Sequence, residues 1–182
     1  MKKLFLVAIS STMFISGCST TNSVPYKASI NNVITIQESL GKSGKKINIG
    51  TITSATGVNE EPTCRLMGPV NVAPGKTLSQ YINEAFQEEL FLAGAYSSNS
   101  KNIINGTITS LDFSSFAPAA WTVSMNVSSN SSSGYNISSK YLFSTSFDAY
   151  SACKNVANAF GPAVQSLLEQ VVSHPQFTNR IV

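Results

Sequence analysis

Apolar and polar positions alternate most regularly in the second half of the chain. Trp121, Val123, Met125 and Val127 are interleaved with Thr122, Ser124, Asn126 and Ser128. Further on, Tyr135, Ile137, Tyr141, Phe143 and Phe147 are interleaved with Asn136, Ser138, Lys140, Ser144 and Ser146. Successive side chains of a strand point to opposite faces, so this period of two predicts two strands with one dry and one wet face. The polar run Ser128 to Gly134 between them reads as a hairpin loop. Such a pair belongs to an antiparallel sheet covered on a single side. Ile103 to Phe113 has the β-branched density of another strand, broken at Phe116-Ala117-Pro118. Lys46 to Thr53 alternates as a strand with Gly50 at a bulge, and Val33-Ile34-Thr35-Ile36 reads as a short edge strand.

Two stretches carry helical spacing instead. Thr77-Leu78-Ser79-Gln80 fits a capping box, in which the threonine hydroxyl accepts from the third helical amide and the glutamine reaches back. Leu78, Ile82, Ala85, Phe86 and Leu90 follow on one face, and Gly94 stands where a left-handed cap ends a helix over 78–93. The second stripe, from Ala152 through Val156, Phe160, Val164 and Leu167 to Val171, predicts a helix over 149–173 that Pro175 ends. Gly161-Pro162 should kink or split it, because proline lacks the backbone donor and clashes with the preceding turn. Residues 54–76 are irregular and hold Pro62, Pro69, Pro74 and Cys64, a loop long enough to be either packed down or functional. The order β-α-β-β-β-α predicts an α+β two-layer sandwich. Its sheet is mixed but mostly antiparallel, of about four strands, with two helices on one face and a right-handed parallel crossover from the first strand to the second.

The start of the chain has a different grammar. Lys2 and Lys3 precede an apolar stretch from Leu4 to Ile15, followed by the small residues Ser16 and Gly17 and then Cys18. That is a basic, apolar and small-residue succession of a signal peptide over 1–17. The apolar part falls short of the roughly 20 residues that a spanning helix needs. Ile15-Ser16-Gly17-Cys18 resembles the lipobox of bacterial lipoproteins. The resemblance implies cleavage between Gly17 and Cys18, a diacylglycerol thioether on Cys18 and acylation of its freed amine, a lasting attachment because several chains hold together. By analogy with enterobacterial lipoproteins, Ser19 in place of an aspartate points to the outer membrane, on its periplasmic side. Residues 18–32 then read as a lipidated, flexible tether, and 33–182 as a single globular domain.

Charge narrows the partners. The chain holds 12 basic and 9 acidic residues; losing Lys2 and Lys3 leaves 12 − 2 = 10 basic ones, a balance near neutral that argues against a nucleic-acid surface. With Cys18 lipidated, Cys64 and Cys153 remain as an even pair in an oxidising compartment. The predicted topology puts both at the same end of the sheet, so a disulfide is expected between them. Catalytic chemistry finds little support. His174, the single histidine, sits at a helix end with no nucleophile or carboxylate patterned beside it. One histidine and two distant cysteines give no metal spacing, so no metal and no cofactor are expected. Glu84, Glu88 and Glu89 lie off the apolar stripe and read as a solvated face. Gly75-Lys76-Thr77 looks like the tail of a phosphate loop but lacks the upstream glycine, position 70 being Val. The Asn-x-Ser/Thr triplets at Asn105, Asn126, Asn130 and Asn136 are chance products of a Ser- and Asn-rich chain. Trp121 is in register with the core, while Phe116 belongs either to the core or to an aromatic surface patch.

A helix closed by Ala93-Gly94-Ala95, a strand like Ile104 to Phe113, a hairpin ending in Tyr141 to Phe147 and a final helix with Phe177 beyond it resemble the YajG type of small Gram-negative lipoproteins. The element order is also similar to that of the lipopolysaccharide-assembly lipoprotein and of auxiliary lipoproteins of ABC transporters. The YajG resemblance implies an outer-membrane lipoprotein without an assigned activity; Cys64 and Cys153 stand outside its pattern. The functional expectation is therefore a non-catalytic lipoprotein that binds a protein or other envelope component, through the wet sheet face or an exposed strand edge. The alternative is an accessory subunit of a lipid, lipopolysaccharide or ABC transport assembly that contacts lipid substrate. A packed interior favours the first and an apolar internal cavity the second.

Overall fold

A computed structural model describes Thr20–Thr21 and residues 25–178. The signal peptide and the lipobox, Gly17 and Cys18 included, lie outside the described residues. The elements are β1 (Thr20–Thr21), α1 (Ile30–Leu40), β2 (Asn48–Ser54), β3 (Val70–Asn71), α2 (Leu78–Leu92), β4 (Ile103–Ser114), β5 (Ala120–Ser129), β6 (Ser132–Leu142) and α3 (Ala149–Val172). The main sheet is open, in the order β2-β4-β5-β6, with β2 parallel to β4 and the remaining pairs antiparallel. This is the expected α+β architecture, with three α-helices rather than two among the described residues. A separate parallel pair joins β1 to β3, Thr20 facing Val70.

Alternation decides which face each strand buries, and two bulges adjust it. In β4, Ile104 and Ile108 are buried at even positions, whereas Leu111 and Phe113 turn inward at odd ones. The ladder to β5 skips between Ile108 and Ser110, and that extra residue flips the parity. In β2 the register likewise breaks between Ile49 and Ile52, around the expected Gly50. Asn105 fills this bulge, its Oδ1 accepting from Thr51 N at 3.1 Å. The β5–β6 turn is tighter than the polar run suggests: Ser129 faces Ser132, leaving Asn130-Ser131 as the loop. Gly134 permits it, because at φ +82° any Cβ would fall 1.7 Å from the Val127 carbonyl oxygen.

The helices cover the dry face. α3 lies over β5 and β6, with Trp121 Nε1 donating to the Val156 carbonyl at 2.9 Å and Tyr135 Oη to that of Val171 at 2.7 Å. Trp121 and Phe160 pack 4.9 Å apart, and Tyr81 stands 5.3 Å from Phe160, so aromatic rings fill the space between the layers. α2 begins at the expected capping box: Gln80 N donates to Thr77 Oγ1 and Thr77 N to Gln80 Oε1. Gly94 closes it at φ +68°. Replacing Thr77 with Ala should lower stability by about 1 kcal/mol; an unchanged urea midpoint would remove the cap from the account.

Four sequence expectations need correction. Val33 to Ile36 form part of α1, not a strand. Asn32, Ile36 and Leu40 are buried four residues apart, and Ser29 caps the helix through Asn32 N, so tertiary burial overrides β-branched propensity. The strand after the hairpin stops at Leu142 instead of continuing to Phe147. Pro162 does not split α3, because Ala159, Phe160, Ala163 and Val164 around it are all buried and their packing offsets the lost hydrogen bond. Finally, residues 25–32 are no free tether: Tyr26, Ser29 and Asn32 are fastened to α2.

Candidate functional site

Three connections meet at one end of the sheet: residues 55–69, 115–119 and 143–148. The disulfide between Cys64 and Cys153, with Cα atoms 5.7 Å apart, pins the first of them to α3. Both cysteines are fully buried. The expected pairing is present, and the Pro-rich loop is packed down.

Arg65, next to the bridge, holds the other two connections. Its Nε donates to Ser115 Oγ at 3.2 Å, Nη2 to the carbonyls of Ser115 at 3.0 Å and Ser146 at 3.1 Å, and Nη1 to that of Phe147 at 3.0 Å. The guanidinium fork suits this task because its donors are fixed in one plane. Its φ of +49° places it in the left-handed region, a conformation retained because the bridge and these four bonds over-determine it. Its Cζ also lies 4.5 Å from the Phe116 ring centroid, a cation–π contact. Thr145 Oγ1 adds a bond to the Ser115 carbonyl, and Asp148, capping α3 through Ser151 N at 2.7 Å, accepts from Ser146 Oγ at 2.6 Å.

What this frame displays is apolar. Leu66 is 101 %, Phe147 105 % and Phe116 66 % exposed. An open cleft of about 270 Å³ runs between Arg65, Phe116 and Phe147, and a shallower one of about 540 Å³ between Leu66, Phe113 and Phe116. Single exposed apolar residues are ordinary, but a group of them on braced loops marks a contact surface. The expected wet sheet face is present too, and two cross-strand pairs on it bond each other: Ser124 Oγ bonds Ser138 Oγ, and Asn126 Nδ2 bonds Asn136 Oδ1, each at 3.0 Å.

Other residues singled out in the sequence have local roles. His174 stacks on Tyr135 at 4.0 Å and accepts from Gln176 N through Nδ1. Lys76 of Gly75-Lys76-Thr77 pairs with Glu84, and Thr77 is consumed by its helix cap. Asn130 joins the hairpin turn to Ile103 N and the Lys101 carbonyl. Among the described residues no three His, Cys, Asp or Glu side chains cluster as metal ligands, and no helix is long and apolar enough to cross a membrane.

Glu84 and Glu88 are exposed as expected, but Glu89 is not part of a solvated face. It is fully buried, its Oε1 accepting from Tyr26 Oη at 2.7 Å, Ser29 N at 3.0 Å and Asn32 Nδ2 at 3.2 Å. Asn32 Nδ2 also reaches Glu89 Oε2 and the Gln165 carbonyl, so the carboxylate ties α1 to α2 and the Asn32 amide ties α1 to α3. Burial pushes the Glu89 carboxyl above its ordinary value, although the Tyr26, Ser29 and Asn32 donors pull the other way. Burial would also raise Glu60, but donors from Ser54 and Ser79 outweigh it and hold that carboxyl below the usual range. A raised carboxyl contributes stability that is complete below its unfolded pKa of about 4.3 and is lost as pH rises through the folded value. Glu60 acts in the opposite sense, gaining above the unfolded pKa. The stability difference between the wild type and Glu89→Gln should therefore shift against the wild type as pH rises above about 4.3. A difference in urea-derived stability independent of pH from acid to neutral would contradict this.

No protein-family model matches the chain, and no curated protein does. Among solved structures it is similar to a crystal structure of a DUF330 protein from Xanthomonas campestris, at 11 % identity and a TM-score of 0.45 over 70 % of this chain and 84 % of that one. A likeness at that level bears on neither family nor function.

Proposed function

We propose that the protein is a non-catalytic lipoprotein of the cell envelope, anchored through lipid on Cys18 to the outer membrane and facing the periplasm. It binds an envelope component through the Leu66, Phe116 and Phe147 cluster. The observation that carries this reading is the pairing of exposed apolar side chains with rigid support. Three apolar side chains face solvent while a disulfide and four Arg65 bonds hold the backbone beneath them. Preorganised loops lose little entropy on contact, which is what a binding surface requires. The aromatic packing between helices and sheet favours a ligand met at the surface over one held inside. The cluster is preferred to the wet sheet face because its apolar side chains stand exposed on braced backbone, whereas Ser124, Ser138, Asn126 and Asn136 of that face already bond one another.

The second reading, an accessory subunit of a lipid, lipopolysaccharide or ABC transport assembly that contacts lipid, is favoured by one observation: Thr20 and Thr21, close in sequence to Cys18, pair with the strand that follows the Leu66 turn. A photoreactive amino acid at position 147, tested in living cells against one at Ser138 on the polar sheet face, examines both. Adducts formed at position 147 and not at Ser138, whether with protein or with lipid, agree with the proposal. Equal or absent labelling at the two sites contradicts it.

A further inference from the structure

We propose that the component met by the Leu66, Phe116 and Phe147 cluster is the surface of the bilayer that holds the protein's own anchor. The inference rests on the lipoprotein reading above and names the partner of that same surface. Thr20 lies opposite Val70 in a parallel pairing, and Cys18 stands two residues before Thr20. Two residues span at most about 7 Å, so the acylated cysteine is confined to the neighbourhood of β3. β3 in turn closes a tight hairpin: Val70 N donates to the Pro62 carbonyl at 2.9 Å, Thr63 bridges Pro69, and Cys64 N donates to the Gly68 carbonyl at 3.0 Å. Leu66 is at its tip. Adding the reach of Cys18, one strand spacing and the chain from Val70 to Leu66 bounds the separation of anchor and tip at roughly 26 Å, even for fully extended segments. A tether of that length brings this end of the domain within reach of the membrane.

The chemistry of the end suits that contact. Leu66 and Phe147 project fully, and open clefts lie on either side of Phe116 between them. Aliphatic and aromatic tips bury readily at the boundary between headgroups and acyl chains. Arg65, the cation beneath them, directs its donors to the loop carbonyls and braces the tips. Asp148, the nearby acid, is held by Ser146 and Ser151. Anchor and tips then act as two linked attachments, and the second also fixes the orientation of the domain on the membrane.

Brominated-lipid quenching tests this on the lipidated full-length protein in vesicles of phosphatidylethanolamine with a minor share of phosphatidylglycerol. Tryptophan is placed by Leu66→Trp, Phe147→Trp or Ser138→Trp, with the buried native Trp121 as constant background. The expected result is blue-shifted emission quenched by acyl-brominated lipid for Leu66→Trp and Phe147→Trp, and no quenching beyond background for Ser138→Trp. In parallel, the unlipidated Cys18→Ser domain carrying Leu66→Ser, Phe116→Ser and Phe147→Ser should partition onto the same vesicles at least roughly tenfold less than Cys18→Ser alone. These are exposed positions, so the fold should survive, which circular dichroism checks. Unquenched emission at positions 66 and 147 in protein whose Cys18 carries acyl chains overturns bilayer docking and leaves the lipoprotein reading intact; a protein adduct at position 147 in cells would then name the alternative occupant. Protein recovered without acyl chains on Cys18 overturns both.

Discussion

Unfolding of the Cys64→Ser/Cys153→Ser double variant is expected at markedly lower urea, with a loss of about 4 kcal/mol. The bridge spans 89 residues of sequence, and closing a loop of that length removes many conformations from the unfolded chain. Both sulfur atoms are also buried, so the serines place two hydroxyls where the core is dry, which adds to the cost. The loss should be felt first in the loop: with Cys64 released, Arg65 has only its own hydrogen bonds to keep residues 62–68 against the 115 and 146 carbonyls. Limited proteolysis should therefore cut near the Leu66 turn in the variant before the sheet is attacked. A double variant with the wild-type urea midpoint would show that the bridge is not formed in the native protein.

The second large effect is expected at Glu89. Changing it to Ala removes the acceptor for Tyr26, Ser29 and Asn32 together and leaves a cavity between α1, α2 and α3. Hydrogen bonds to a charged group are worth about 1.5–3 kcal/mol each. Release of the buried carboxylate, which burial disfavours, returns part of that sum, so the expected loss at neutral pH is about 3 kcal/mol. The damage is local in its first expression. Amide exchange should accelerate over residues 29–40 while β4, β5 and β6 stay protected. Uniform acceleration across the sheet, or none in α1, would contradict the role given to this carboxylate.

The contrast between what the sequence revealed and what it concealed follows from distance along the chain. The β5–β6 hairpin, the Thr77 cap, the Gly94 turn and the α3 stripe are written in neighbouring residues, because alternation, capping and helical spacing are local rules. α1 was hidden by Val33-Ile34-Thr35-Ile36, whose β-branched side chains suggest a strand; the Ser29 cap and the four-residue spacing of Asn32, Ile36 and Leu40 were the available counter-signal. Glu89 looked solvated because its three donors come from a segment about sixty residues earlier. The parity change in β4 likewise depends on a bulge that only the β5 ladder defines. For the candidate surface, Cys64 and Cys153 were legible by counting and topology. Arg65 was not, since its partners at 115, 146 and 147 lie 50 residues and more away. Phe147 was misplaced in a strand, although its position between Ser146 and Asp148, just before a helix start, is that of a loop tip.

Docking of this rigid apolar end on the bilayer depends on the lipid anchor at Cys18. Intact mass spectrometry of the mature protein, purified from membranes without reduction, tests it most directly. The account predicts a chain beginning at Cys18 that carries a diacylglyceryl group and an amide-linked acyl chain, with Cys64 and Cys153 each lacking a free thiol. A mature chain that begins elsewhere, or an unmodified Cys18, would contradict it.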